Sequence, residues 1–145
     1  MLEKKYENQR LRNPFIFDFH KLACLEPALR PYVLILNQRT VCNFKEQNSL
    51  IAVAQAIMKH YFKVKWEIPP ENLCPRIPAR LNYLLWVYLQ LSSWKIKKVL
   101  DIGTGASLIY PLLGWSVFGW KFIATEVSQE SYDHSRDLIA MNELW

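Results

Sequence analysis

The residues best suited to chemistry lie in the run DIGTGAS, residues 101–107. Gly103 and Gly105 allow a tight backbone turn after a strand and a close approach of the backbone to a ligand. A helix predicted to begin at Ala106 would present free N–H groups to an anion. Glu126 follows Gly105 by twenty-one residues, where an acidic side chain at the next strand end can accept hydrogen bonds from both ribose hydroxyls. The spacing predicts a site for a nucleoside-bearing cofactor.

Two neighbours of the glycines distinguish between classes of cofactor. A dinucleotide fingerprint requires a third small residue where Leu108 stands, so that the helix can pack against the strand beneath a pyrophosphate. Asp101 suits a cofactor with an amino group better than one with a pyrophosphate. S-adenosylmethionine carries a carboxylate, an ammonium, a sulfonium and a ribose, and is therefore favoured. An NAD-linked oxidoreductase is the minor alternative.

The elements that must position these residues alternate along the second half of the chain. Apolar runs predict strands at 98–102 and 121–125, a helix beginning over 106–113, and a second helix over 129–141. Strands that alternate with helices predict a parallel sheet with a right-handed crossover. The predicted fold class is α/β, with the N-terminal half of a Rossmann-like sheet preceded by a small basic α+β module.

The sequence pattern of the first half predicts shorter helices and strands. We expect a helix over 18–25 that stops before Pro27, strands at 33–36 and 40–44 joined by residues 37–39, an amphipathic helix over 46–62, a proline-rich connector over 68–78 and a buried helix over 79–91. Arg80 falls in the first turn of that last helix, where a positive charge opposes the helix dipole. This predicts an anionic partner for Arg80; a solvent-exposed arginine is the alternative.

Charge is distributed unevenly. Residues 1–65 hold eleven basic and five acidic groups, whereas residues 99–145 hold two basic and six acidic groups. With a net charge of +5 and a pI near 9.2, the protein suits an acidic partner such as RNA, and its first half is the candidate for contacting phosphate. A mildly basic solvated surface is the alternative interpretation.

Several other functions are disfavoured by what the sequence lacks. Three cysteines and three histidines show no metal-ligand spacing and are interpreted as reduced, mostly buried thiols and isolated imidazoles; they are Cys24, Cys42, Cys74, His20, His60 and His134. The N-terminus has no apolar signal segment, which predicts an intracellular protein of the nucleus or cytoplasm. Residues 102–120 carry no charge, but glycines and a proline interrupt them, so we expect no membrane span and no metal.

Seven short runs resemble the methyltransferase-like protein 16 family. They are 43–45 (NFK), 68–69 (IP), 77–83 (IPARLNY), 86–87 (WV), 101–114 (DIGTGASLIYPLLG), 119–120 (GW) and 124–127 (ATEV). That family methylates adenine N6 in U6 small nuclear RNA and in an S-adenosylmethionine synthetase transcript, and its bacterial relatives methylate ribosomal RNA adenine. The resemblance implies an RNA adenine N6-methyltransferase.

The family's cofactor contacts fall on four positions of this sequence. The resemblance implies that Arg80 binds the cofactor carboxylate, that Gly103 and Ser107 form the backbone cradle, and that Glu126 binds the ribose. It implies RNA contacts by a segment near the N-terminus and by one lysine, which are Ile16, Phe17, Asp18, Phe19 and Lys45. The alternative is that Phe17 and Phe19 are core residues and that Lys45 is merely solvated.

The family's catalytic signature Asn-Pro-Pro-Phe is absent from these 145 residues. No residue is therefore predicted to be catalytic, and we expect the chain to be a fragment of a longer enzyme with half of its sheet. The predicted division is a basic RNA-binding module and connector at 1–78, followed by a partial S-adenosylmethionine-binding Rossmann-like domain at 79–145. The alternative function is a non-catalytic RNA-binding or regulatory module derived from the same family.

Overall fold

The computed structural model describes residues 16–36, 39–91 and 97–144. The first half comprises α1 (Phe19–Leu25), a 3-10 helix (Pro27–Tyr32), β1 (Val33–Leu36), β2 (Arg39–Cys42) and α2 (Gln47–Phe62). The second half comprises α3 (Ile77–Gln90), β3 (Lys98–Ile102), α4 (Ile109–Phe118), β4 (Lys121–Thr125) and α5 (Gln129–Met141). The predicted order of strands and helices is confirmed.

The first half begins with a capped helix and a hairpin. Asp18 caps α1, since its side chain accepts a hydrogen bond from the Lys21 N–H at 2.9 Å. The antiparallel pair sets Val33 opposite Cys42. The prediction that the second strand covers 40–44 is wrong, because β2 ends at Cys42. There the side chain of Asn43 accepts a hydrogen bond from the Lys45 N–H at 3.2 Å, which turns the chain. Of the predicted connection 37–39, the first two residues lie outside the described part.

Helix α2 follows the prediction, except that Glu46 is its N-cap and not its first residue. Its buried face holds Val53, Ala54, Ala56, Ile57, Met58 and Phe62. The helix ends at Phe62 and Lys63 caps it with a left-handed φ of 59°. The next N–H, of Val64, bonds back to the Met58 carbonyl at 3.0 Å. This turn directs the following segment toward the second half of the chain.

Helix α3 begins at Ile77, two residues before the predicted start. Pro78 occupies the second helical position, where its lack of an N–H costs no intrahelical hydrogen bond. The division predicted between residues 78 and 79 therefore falls inside a helix. One continuous hydrophobic core contains residues from both halves, including Leu22, Met58, Leu81, Leu113 and Leu138. The division itself stays a prediction.

The strands β3 and β4 are parallel, as predicted, with Lys98 opposite Lys121 and Ile102 opposite Thr125. One face of the pair packs on the core, whereas the other leaves Leu100, Ile102 and Ile123 between 58% and 78% exposed. Helix α4 begins at Ile109 and not at Ala106 as predicted. The correction has a backbone cause, because Gly105 and Leu108 both have positive φ, which a right-handed helix excludes.

Helix α4 lies directly against β4 at Gly114. A Cβ at this position would lie 2.6 Å from Cε2 of the Phe122 ring and closer still to its Cζ. Alanine favours a helix over glycine by about 1 kcal/mol. The overlap with the ring costs about 1–3 kcal/mol, so glycine is required here by packing.

We therefore expect Gly114→Ala to lower the free energy of unfolding by roughly 1 kcal/mol, measured by urea denaturation. The matched test is the same substitution in a Phe122→Leu background, where the narrower side chain makes room. In the Phe122→Leu background, we expect Gly114→Ala to leave the free energy of unfolding unchanged or to raise it. Equal losses in the two backgrounds would show that the Phe122 ring is not the cause.

Candidate functional site

The glycine turn between β3 and α4 is bonded to the end of β4. Gly103 and Gly105 have φ values of 76° and 66°, which favour glycine, and a Cβ at either position would meet no atom within 4 Å. The N–H groups of Gly103 and Thr104 both donate to the carbonyl of Thr125 at 2.9 Å. The turn therefore leaves open space in front of its glycines, but it does not offer those two N–H groups to an anion.

Glu126 accepts three backbone hydrogen bonds at the end of β4. One carboxylate oxygen accepts the Gly105 N–H at 2.7 Å, and the other accepts those of Val127 and Ser128 at 2.8 and 2.9 Å. These donors, with Ser128 the strongest, lower the pKa of Glu126 below its ordinary value of 4.5. A carboxylate has about four acceptor positions, so capacity for a ribose hydroxyl is left. Of the predicted residues, Gly103 and Glu126 thus belong to one bonded unit, whereas Ser107 lies further along the turn.

The carbonyls of the same turn accept hydrogen bonds from side chains that the sequence analysis missed. Trp66 Nε1–H donates to the Ser107 carbonyl at 2.8 Å, and Ser135 Oγ–H donates to that of Gly105 at 2.9 Å. His134 Nδ1 lies 2.8 Å from the Ala106 carbonyl. Because a carbonyl only accepts, Nδ1 carries the hydrogen. Ser135 had one signal in the sequence: it is a polar residue three positions before the apolar Leu138 on the buried face of α5.

Arg80 lies half-buried against α4. Its Nη1 donates to the Tyr110 hydroxyl at 3.0 Å, and its guanidinium carbon lies 5.5 Å from the centre of that ring. Among the described residues no carboxylate forms an ion pair with Arg80. The predicted anionic partner is therefore not a side chain of this part of the chain, and the charge of Arg80 is available to a ligand.

Three buried polar atoms in the same sequence runs have no hydrogen-bond partner in the described structure. They are Asn82 Oδ1, Asp101 Oδ2 and Thr104 Oγ1. A buried polar atom without a partner costs about 1–3 kcal/mol, so such atoms indicate where a polar ligand completes the bonding. Asp101 can receive an ammonium and Arg80 a carboxylate. With Glu126 for a ribose, the available groups suit an amino acid joined to a nucleoside.

Four of the five predicted RNA-binding residues lie on α1 or directly before it, and Lys45 lies in the turn between β2 and α2. Ile16 is 90% exposed, whereas Phe17 is 9% exposed and packs edge-on to Tyr61 with ring centres 5.0 Å apart. Phe19 packs against Phe44 at 5.8 Å, and these aromatic rings border a cavity of about 400 Å³ that also contacts Arg76.

Of the remaining two RNA-binding candidates, Asp18 caps α1 and Lys45 is exposed. The structure therefore makes the side chains of Ile16 and Lys45 accessible and places the ring of Phe17 in the core.

Two of the three cysteines, Cys42 and Cys74, are buried and Cys24 is exposed, in agreement with the expectation of mostly buried thiols. Burial raises the pKa of Cys42 and of Cys74 to about 11, so both thiols are protonated and unreactive. Within residues 16–36, 39–91 and 97–144, no cluster of acidic, histidine or cysteine side chains is arranged to bind a metal. No helix in these ranges has the length and hydrophobicity to cross a bilayer.

The bonding of Glu126 predicts a pH dependence of stability. A carboxylate whose pKa is lowered by folding stabilises the folded state above pH 4.5, and this contribution is lost as the pH falls through the lowered value. Glu126→Gln should therefore be less stable than the parent at pH 7, and the difference should shrink between pH 4.5 and pH 3. Denaturant unfolding at these pH values measures it.

Glu71→Gln is the control for that experiment, because Glu71 is an exposed carboxylate in a loop. The free energy of unfolding of Glu71→Gln should stay close to that of the parent at every pH used. A Glu126→Gln difference that does not vary with pH would contradict the hydrogen bonds to the carboxylate.

The sequence and the fold of this chain are similar to those of one known protein family. A family model described as RNA methyltransferase matches residues 3–145. Human RNA N(6)-adenosine-methyltransferase METTL16 is 37% identical over 133 residues, which are 88% of this chain and 24% of that protein. Ribosomal RNA large subunit methyltransferase F of Klebsiella pneumoniae is 34% identical over 134 residues, which are 87% of this chain and 44% of that protein. The chain thus spans less than half the length of these curated relatives.

Solved structures agree with the sequences. The catalytic domain of human METTL16 in complex with MAT2A 3′UTR hairpin 6 superposes with a TM-score of 0.83 at 36% identity, over 96% of this chain and 50% of that one. The N-terminal domain of human METTL16 in complex with SAH gives 0.83 at 35% identity, over 96% and 55%. The resemblance to the methyltransferase-like protein 16 family and the partial Rossmann-like α/β fold are confirmed. The chain belongs to this RNA methyltransferase family.

Proposed function

We propose that the native protein carrying this chain is an S-adenosylmethionine-dependent RNA adenine N6-methyltransferase, and that residues 79–145 bind the cofactor. The observation that carries the proposal is the bonded unit of the glycine turn and Glu126, together with Arg80, which donates to Tyr110 on the helix after the turn and has no acidic partner among the described residues. Relatives that match most of the chain are RNA N(6)-adenosine methyltransferases, and one related domain binds SAH.

The groups of the site fit S-adenosylmethionine. Arg80 would hold its carboxylate, Asp101 its ammonium, and Glu126 its ribose, while Gly103 and Ser107 supply the backbone cradle. Bound there, the cofactor supplies an electrophilic methyl group on its sulfonium. The protein's task is then to align an adenine amine with that methyl group by position alone, because direct transfer needs no covalent intermediate.

No residue among these 145 is proposed as catalytic. In related adenine methyltransferases, an Asn-Pro-Pro-Phe run holds the amine of the flipped base, and the sequence analysed contains no such run. The second candidate function is a non-catalytic RNA-binding or regulatory module of the family, and the basic charge of residues 1–65 is the observation that supports it. The two functions differ in turnover, since only the first transfers a methyl group.

We propose a structured hairpin RNA, such as one resembling U6 small nuclear RNA, as the partner of the basic first half. The side chains available for it include Ile16, Asp18, Phe19 and Lys45, and the exposed ring of Phe44 can stack on a base. The basic charge of residues 1–65 suits phosphate. We place the protein in the nucleus or the cytoplasm, where free thiols such as Cys24 persist.

The deciding experiment uses the native polypeptide that contains this sequence. It is incubated with methyl-labelled S-adenosylmethionine and a hairpin RNA, and the RNA is digested to nucleosides. We expect labelled N6-methyladenosine, and we expect Arg80→Gln and Glu126→Ala to raise the cofactor dissociation constant by about tenfold or more, because each removes a charge-assisted bond. RNA binding without turnover would select the module, and labelling of another atom would refute the assigned reaction.

Lys45 provides a matched test of the RNA surface. Lys45→Ala should weaken hairpin binding and reduce the salt dependence of the binding constant by about one unit of slope, because one phosphate contact is lost. Lys59→Ala is the control, since that exposed lysine is paired with Glu26 at 2.8 Å. Filter binding between 50 and 200 mM salt measures both; equal slopes for the two variants would exclude Lys45 from the interface.

A further inference from the structure

Three consecutive carbonyls of the glycine turn are each bonded by a side chain from another part of the fold. Ser135, His134 and Trp66 lie 2.9, 2.8 and 2.8 Å from the carbonyl oxygens of residues 105, 106 and 107. We call these three side chains the carbonyl clamp. None of the three belongs to the motifs that gave the family resemblance.

The clamp bonds the side of the turn that faces away from β4, where the Gly105 carbonyl also accepts the Leu108 N–H at 3.3 Å. The N–H groups of Gly103, Thr104 and Gly105 donate hydrogen bonds to the end of β4. The clamp side chains donate hydrogen bonds to the carbonyls of residues 105, 106 and 107. Glycine has more backbone freedom than any other residue, so a turn with two glycines is ordered only if its neighbours fix it. A turn already held in its bound shape avoids an ordering cost when a ligand binds.

Each member of the clamp is itself held in place. His134 and Ser135 are consecutive on α5, which is anchored by Leu138, a side chain with no exposed surface. Trp66 is 5% exposed and comes from the segment after α2. Lys65, the residue before Trp66, is bonded to the side chain of Asn142. Its N–H donates to Asn142 Oδ1 at 2.8 Å, and its carbonyl accepts a hydrogen bond from Asn142 Nδ2 at 2.7 Å. The donors are thus fixed by packing and do not depend on the turn for their own order.

We propose that Trp66, His134 and Ser135 are positioning residues for the glycine turn. By holding the carbonyls of the turn, they set the affinity of the site for S-adenosylmethionine. This inference rests on the proposed cofactor function. It extends the cofactor site beyond the glycine motif, to a segment of the first half and to the buried face of α5.

Two serines provide the test, because they make the same kind of bond in different places. Ser135 Oγ donates to a carbonyl of the turn, whereas Ser116 Oγ donates to the Phe62 carbonyl at 2.7 Å, away from the turn. Both alanine variants lose one partly buried hydrogen bond and should melt at similarly reduced temperatures. We expect Ser135→Ala to raise the dissociation constant for S-adenosylhomocysteine five- to tenfold, about the strength of one such bond. Ser116→Ala should change it less than about twofold.

His134 supplies a second pair of variants that does not depend on the serines. His134→Phe keeps a ring of similar size but removes the donor, so affinity should fall. His134→Gln retains a donor in its amide and should recover most of the affinity. This rescue separates a positioning role from a merely structural one.

Isothermal titration of the native polypeptide that contains this sequence with S-adenosylhomocysteine measures all of these variants. If the parent chain binds and Ser135→Ala binds as tightly as Ser116→Ala, the clamp is refuted while the cofactor function stands. If Ser135→Ala fails to fold, the comparison of His134→Phe with His134→Gln decides, and equal affinities refute the clamp. A parent polypeptide that does not bind refutes the cofactor function and the clamp together.

Discussion

The hydrogen bond from the Gly105 N–H to the Glu126 carboxylate is the interaction on which the site depends. It joins the turn after β3 to the end of β4, and the parallel register that sets Ile102 opposite Thr125 brings its two ends together. A carboxylate that accepts backbone N–H groups stays ionised and points in one direction. The same oxygen atoms that would receive a ribose therefore also hold the glycine turn in shape, so cofactor recognition and loop geometry are not separable at Glu126.

The halves of the chain meet along the segment that follows α2. Ser116 on α4 donates to the Phe62 carbonyl, Asn142 after α5 is bonded to Lys65, and Trp66 reaches the glycine turn. Buried side chains of both halves form one core. Although charge divides the sequence into a basic first half and an acidic end, packing does not follow that division. The surface proposed for RNA and the turn proposed for the cofactor are consequently packed on one core.

Periodicity and motif spacing predicted most of the elements and placed the glycine turn and Glu126 at neighbouring strand ends, because strand–helix alternation determines which loops meet at one sheet edge. The hydrogen bond from Gly105 to Glu126 was not predicted. What could not be predicted depended on local backbone geometry or on distant donors. Helix α4 starts three residues late because Leu108 is left-handed, and α3 starts early because Pro78 is tolerated at its second position. Trp66 and His134 gave no signal, since an isolated indole or imidazole acquires its partner only through the tertiary fold.

Leu108 combines two opposing requirements at one position. Its φ of 45° costs a non-glycine residue about 1–2 kcal/mol, whereas its side chain is 2% exposed and its burial contributes roughly 1.5–3 kcal/mol. Glycine would relieve the backbone and leave a void, and a β-branched residue would be penalised most by the left-handed backbone. An apolar side chain that is unbranched at Cβ is the compromise between these two requirements.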